Sequence, residues 1–279
     1  MYKRQIANKT IRQRPIINVI LFVLTLATTY FAGLMFGGVL KAIIFSLSII
    51  IILGGHELGH YFVCKYYNIP ATLPYFIPAP FTLIGTFGAV IRMGGLIPSR
   101  KEVIEVGIAG PIVSFLLSIP AAFIGLHYST IVPASSTQGI KLGDSLIFLL
   151  LTYLVKGETS PGTEIMLHPL ALSAWIGFFV TALNLLPLGQ LDGGHILYGF
   201  LTRNRKYVVY PVAGILFLLG FLWQGWWFWL FLILLLGFKH PPLVDEISPL
   251  IKRDKFLLIF ALLMFILSFV PVPFQLIFY

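Results

Sequence analysis

Between Lys41 and Lys65 the chain reads KAIIFSLSIIIILGGHELGHYFVCK, an apolar run whose one charge between the two lysines is Glu57. About 20 such residues at 1.5 Å rise cover the hydrocarbon core of a bilayer, so the run predicts a spanning helix. A carboxylate near mid-bilayer carries an insertion cost of roughly 2.5–3.5 kcal/mol, so an acid inside a span marks function by default. On that helix His56 and His60 stand at i and i+4 on one face, close enough to share one Zn²⁺, with Glu57 beside them as a candidate general base. With 6 His in 279 residues, chance would produce His-Glu-x-x-His on the order of a few times per thousand such chains. A bland alternative, two packed core histidines with Glu57 paired to a lysine, would meet the burial cost without any return in function.

Hydrophobic residues make up 58% of the chain, charged ones 10%, and the mean hydropathy is +0.94. These values exclude an ordinary soluble domain and predict an all-α polytopic membrane protein of about six to seven transmembrane helices. The net charge of +9 does not point to nucleic acid, because the basic residues fall at the ends of apolar runs, where they mark topology. Cys64 alone excludes an intrachain disulfide and reads as a packing residue. Lys3, Arg4, Lys9, Arg12 and Arg14 lead into an apolar segment with no small-residue cleavage pattern, which predicts an uncleaved first span.

Spans are expected at residues 16–37 and 40–67, the second carrying the histidines near its far end. From Asn68 to Arg100 the chain is dense in Pro and Gly, with β-prone runs at 71–77 and 86–93. It is too broken for a spanning helix yet apolar enough to meet lipid, which predicts a partly buried re-entrant β-hairpin directly after the zinc-motif helix, with an interfacial loop lying on the headgroups as the competing reading. A third span at 103–126 contains Gly107, Gly110, Pro111 and Ser114, small residues that permit close helix approach, with Pro111 bending it. Residues 127–168 are the most polar internal stretch, and the apolar piece 145–155 within them is too short to span and reads as interfacial. A fourth span at 169–188 is followed by a short amphipathic piece to Thr202, a hairpin of short spans at 207–222 and 225–238, and a last span at 256–278. Trp223, Trp226, Trp227 and Trp229 read as an interfacial aromatic belt. The whole chain, 1–279, is expected to be a single membrane-embedded domain with its core at 40–205 and the hairpin and last span at 207–279.

Threading these spans from a cytosolic N-terminus puts 16 of the 19 Lys and Arg on one side and three, Lys41, Lys141 and Lys156, on the other. The split assigns the first side to the cytosol. His56 and His60 then sit about 8–14 Å inside the boundary marked by Lys65, at 1.5 Å per residue. Asp192 follows the fourth span as it returns toward the same boundary. A catalytic zinc takes three protein ligands and one open position, and Asp192 is the acid with apolar context on both sides that can supply the third. Gly189, Gly193 and Gly194 would allow the irregular backbone needed to aim it. An N-cap for the 193–202 piece is the competing reading.

His56-Glu57-Leu-Gly-His60, the Gly107-x-x-Gly110-Pro111 element and Asn184-x-x-Pro187-x-x-x-x-Asp192-Gly193 together resemble the site-2 protease family of intramembrane zinc metalloproteases, over roughly residues 40–205. The resemblance implies one Zn²⁺ per chain held by His56, His60 and Asp192, with Glu57 activating a water and Asn184 near the substrate or the oxyanion. It also implies single-span membrane protein substrates, pre-trimmed by another protease and cleaved within or near their transmembrane helices in regulated intramembrane proteolysis. The implied location is a multi-pass position in a prokaryotic cell membrane, with the active site near the cytosolic leaflet. The loop at 127–168 is too short for the PDZ domain of many bacterial members, and a short form without that domain or a nucleotide-sensing domain is expected. His195 could hydrogen-bond Asp192 or help with the oxyanion, or be a plain interfacial histidine, and His127, His168 and His240 carry no assigned role. A membrane zinc transporter would be expected to show repeated halves, and none are visible; a non-catalytic scaffold would be expected to lack Glu57.

Overall fold

A computed structural model describes residues 11–94, 97–134, 139–237 and 243–277; Lys3, Arg4, Lys9, Lys239 and His240 lie outside them. In chain order the helices are α1 (Pro15–Gly33), α2 (Val39–Tyr66), α3 (Arg100–Tyr128), α4 (Leu146–Lys156), α5 (Pro169–Leu185), α6 (Asp192–Leu201), α7 (Lys206–Leu219), α8 (Gly225–Leu236) and α9 (Lys252–Ser268). The strands are β1 (Tyr75–Pro78), β2 (Thr86–Val90), β3 (Ile97–Ser99), β4 (Thr130–Pro133), β5 (Gly139–Leu142), β6 (Thr163–Met166), β7 (Leu243–Asp245) and β8 (Phe274–Ile277).

Among the described residues, three helical stretches are long and apolar enough to cross a membrane: Pro15–Phe36, Val39–Tyr66 and Arg100–Tyr128. They coincide with the first three expected spans. On α1, Ile16, Val19, Val23 and Phe31 are 55–75% exposed, an apolar face that suits lipid and not water. The chain is a mostly helical membrane protein. The expected spans at 169–188, 207–222 and 225–238 are apolar helices of 17, 14 and 12 residues. At 1.5 Å per residue each is shorter than a hydrocarbon core of about 30 Å. The expected span at 256–278 is helical over Lys252–Ser268. Pro271 and Pro273 follow, which suit the end of a helix, and Phe274–Ile277 instead pairs antiparallel with Gly139–Leu142.

The described chain divides into two compact units. The first comprises Met1–Leu96, Ala109–Ser129 and Leu167–Gly177. Here hydroxyls join helices in an apolar setting: Thr29 Oγ1 of α1 and Ser46 Oγ of α2 are 2.7 Å apart, and Ser48 Oγ of α2 donates to Ser173 Oγ of α5 at 2.7 Å. Buried polar groups need such partners. Within 68–100, β1 and β2 pair antiparallel, with Tyr75 opposite Val90, Phe76 opposite Ala89 and Pro78 opposite Thr86. The pair is moored on α1, where Asn18 Nδ2 donates to the carbonyls of Leu73 and Pro74, Thr28 Oγ1 donates to Gly85 O, and Phe22 meets Phe76 edge-on.

The second unit comprises Ile97–Ile108, Thr130–Met166 and Phe178–Tyr279. The polar stretch read as loop holds paired strands, β4 against β6, with Lys141 Nζ 2.9 Å from Glu164. α4 matches the short apolar piece, capped by Ser145 Oγ, which accepts from Phe148 N. Trp226 departs from the belt reading. It is 1% exposed, donates from Nε1 to Pro271 O at 2.7 Å and stacks on Phe269, so it anchors the α8–α9 contact. Tryptophan N–H groups need a partner when buried, and the turn after α9 supplies one. At the start of α3, Glu105 receives Arg253 at 2.9 Å and Lys101 at 3.9 Å.

Candidate functional site

The histidine motif lies in the last three turns of α2, where His56 and His60 are both buried. Their i, i+4 spacing puts the rings on one face as expected. The centroids are 4.9 Å apart and the two Nε2 atoms 3.1 Å apart. Two imidazole nitrogens each about 2.05 Å from one tetrahedral zinc would stand about 3.3 Å apart, so the pair is spaced as two ligands of one ion are. Glu57, half-buried one residue on, accepts a hydrogen bond at Oε2 from the backbone N–H of Ile91, just past β2, at 2.9 Å. That contact fixes one carboxylate oxygen.

The bed for the rings is a turn of α3. A Cβ at Gly59 would lie 2.6 Å from Ala109 O, and one at Gly110 would lie 2.2 Å from His60 Nε2. Neither position accommodates a side chain without displacing backbone or ring. His56 Nδ1 is 3.1 Å from Ser114 Oγ, one turn on. Ser114 counted as a small packing residue in the sequence and here is a ring partner. The Gly-Pro-x-x-Ser spacing was its one signal.

Asp192 is the first residue of α6, half-buried, after the turn that ends α5. The N-cap reading fails for it: Leu191 occupies that position and no side chain caps the helix. A carboxylate in the first turn still suits the positive end of the helix. Gly189 and Gly193, beside Asp192, act in two different ways. Gly189 has φ +55°, the left-handed region the turn requires. Gly193 is helical, and a Cβ there would lie 2.1 Å from Leu185 O, so it permits close approach instead. Gly107 does the same on α3, where a Cβ would lie 3.2 Å from Asp192 O and 3.5 Å from His195 Cβ.

In the first unit, His56 and His60 are two buried potential ligands of one metal ion, their Nε2 atoms on one side of α2. Two imidazoles suit zinc, which in a catalytic site takes three protein ligands and keeps a fourth position open. Asn184 lies half-buried in the last turn of α5 and His195 half-buried in α6. His127 ends α3, and His168 Nδ1 accepts from Leu170 N, a local turn contact.

Three relatives bear directly on this arrangement. The probable chloroplastic zinc metalloprotease EGY2 of Arabidopsis thaliana is 31% identical over 233 residues, covering 80% of this chain and 40% of the relative. EGY1 of the same plant is 27% identical over 226 residues, covering 78% and 40%. EGY3 of Oryza sativa subsp. indica is 25% identical over 227 residues, covering 71% and 37%. This chain therefore spans about two fifths of the length of the curated relatives it matches. These relatives are named as chloroplastic plant proteins, so the expectation of a prokaryotic membrane draws no support from them. The profile of Peptidase family M50 matches residues 42–223, from within the histidine helix to past Asp192. With that match over more than half its length, this chain belongs to Peptidase family M50, the site-2 protease family.

Proposed function

We propose that this chain is an intramembrane zinc metalloprotease that hydrolyses peptide bonds within or near the transmembrane helices of membrane-anchored proteins. The observation that carries the reading is the buried His56–His60 pair, with Nε2 atoms 3.1 Å apart and a fixed carboxylate one residue away. In this reading His56, His60 and Asp192 hold one Zn²⁺. When bound, zinc lowers the pKa of a water to about 7 and polarises a carbonyl. Glu57 takes the proton of the attacking water and returns it to the departing amine, while the Ile91 N–H keeps its carboxylate aimed. Asn184, half-buried at the end of α5, faces the substrate or the oxyanion by family resemblance. The buried setting of the histidines keeps bulk water from competing for their nitrogens.

The membrane arrangement belongs to the same proposal. The chain is one embedded protease domain with its core at 40–205, six to seven spans once the shorter apolar helices are counted, and a hairpin that re-enters the bilayer beside the zinc helix. The 16 to 3 split of Lys and Arg orients the N-terminus and the active site toward the cytosolic face or its organellar counterpart. Lys101 and Arg253, assigned to that face from different loops, share Glu105, which supports the assignment. The substrates are single-span proteins, pre-trimmed by another protease. An unwound substrate segment leaves N–H and C=O groups unsatisfied in lipid at several kcal/mol each. β2 pairs with β1 on one side and can accept the segment as an added strand on the other.

The test is cleavage of candidate single-span proteins by wild type and Glu57→Gln in the same membranes. Cleavage by wild type and its loss in the variant, at equal zinc content, is the expected result. Equal cleavage by both would end the reading.

A further inference from the structure

We infer that Ser114 is a positioning residue for the metal, because it fixes which nitrogen of His56 is presented; the inference rests on reading His56 as a zinc ligand. A neutral imidazole carries one N–H and one lone pair, and the lone-pair nitrogen is the one that ligates. His56 Nδ1 is 3.1 Å from Ser114 Oγ. The same hydroxyl lies 3.2 Å from the carbonyl oxygens of Gly110 and Pro111, to which it donates. Carbonyls only accept, so the hydroxyl hydrogen is committed to them and the Oγ lone pair faces the ring. His56 must therefore bring the hydrogen on Nδ1 and donate it to Ser114 Oγ. Nε2 is left with its lone pair, on the side where His60 Nε2 stands 3.1 Å away.

Burial makes the assignment firm. Ser114 is 0% and His56 3% exposed, so bulk water does not replace the hydroxyl as an acceptor. An imidazole without such a partner divides between its two tautomers, and the form with the hydrogen on Nε2 offers the metal nothing there. One turn of α3 thus serves both rings in opposite ways. Gly110 makes room for His60 by lacking a side chain, and Ser114 orients His56 by carrying one. Outer partners of this kind are worth about 10–100-fold in metal affinity. Threonine can reproduce the pattern because its hydroxyl also bonds the carbonyl of the preceding turn, whereas alanine cannot.

The experiment uses the full chain in phosphatidylcholine nanodiscs, labelled with ¹⁵N-histidine, stripped of metal and held at about pH 8, where an ordinary histidine of pKa about 6.5 is neutral. Nitrogen shifts report the tautomer, with His56→Gln identifying the signal, and a chromophoric chelator competes for zinc to give its Kd. Wild type should show the hydrogen on Nδ1 of His56. Ser114→Ala should show both tautomers and a Kd raised about 10–100-fold, and Ser114→Thr should restore wild-type values. A wild-type His56 carrying its hydrogen on Nε2 overturns the inference, as does a Ser114→Ala Kd within about twofold of wild type. The wild-type tautomer decides the matter even if the alanine variant fails to fold. If instead wild type holds no zinc, or His56→Gln keeps full affinity, the zinc reading fails and the tautomer result identifies that failure as separate.

Discussion

Two neighbouring regions of the first unit use glycine and burial in opposite ways. The end of α2 against α3 is close-packed: Gly59 and Gly110 stand where a Cβ would meet backbone or the His60 ring. In the β1–β2 hairpin, Phe81 and Phe87 are 80% and 64% exposed, and Gly88 has φ +92° with nothing within 4 Å of its missing Cβ. One region uses absent side chains to bring the His56–His60 pair to fixed geometry, as close-packed interiors allow. The other uses glycine for backbone shape and, in the proposed reading, offers a strand edge to the substrate. Catalytic geometry and substrate capture have separate substructures in this account, joined at the hydrogen bond from Ile91 N to Glu57.

The comparison breaks most sharply at Gly110. Gly110→Ala should displace the His60 ring, because its Cβ would lie 2.2 Å from Nε2, and raise the zinc Kd by at least about 10–100-fold, the effect of losing ring orientation. Chelator competition reads it directly, and wild-type affinity would mean that the bed is soft. Proline placed one residue at a time across 86–92 should leave zinc content unchanged and, at positions whose N–H faces the substrate, reduce transmembrane cleavage about tenfold or more through the lost donor. Wild-type cleavage throughout that scan would remove the strand-addition idea. Paired alanine substitutions test the contrast itself by thermal unfolding in detergent. Gly59→Ala should destabilise by about 1–3 kcal/mol through overpacking against Ala109. Gly88→Ala should cost about 1–2 kcal/mol through left-handed backbone strain alone. Relief of the Gly59→Ala defect by Val113→Ala, which trims the side chain 3.1 Å from the added Cβ, would show that side-chain crowding there outweighs the backbone contact.

The candidate site was legible in the sequence through its polar residues in apolar runs. Glu57 and Asp192 stand out in sequence because charges in apolar runs are unfavourable without a role, and the hairpin was legible from Pro and Gly after an unbroken helix. Partners drawn from the main chain leave no such mark, which is why the Ile91 amide on Glu57 has no sequence signature. Ser114 looked like packing because a small residue that hydrogen-bonds and one that merely fits share the same pattern. The strands within 130–166 and 274–277 were missed because short polar pairings with distant partners have weak local periodicity. Trp226 was misread for a related reason: its partners, Pro271 and Phe269, lie more than forty residues on. The belt rule applies to tryptophans at a lipid boundary, and this one is inside the fold.

The central claim is that His56 and His60 hold a zinc that Glu57 puts to use on a peptide bond. It is tested most directly by measuring zinc content and single-span substrate cleavage side by side for wild type, Glu57→Gln and the His56→Ala/His60→Ala pair. The account predicts one zinc with cleavage, one zinc with cleavage lowered about 10²–10⁴-fold as expected for loss of a general base, and neither zinc nor cleavage. A double histidine variant that still holds one equivalent of zinc, or a Glu57→Gln variant that cleaves at the wild-type rate, would contradict it.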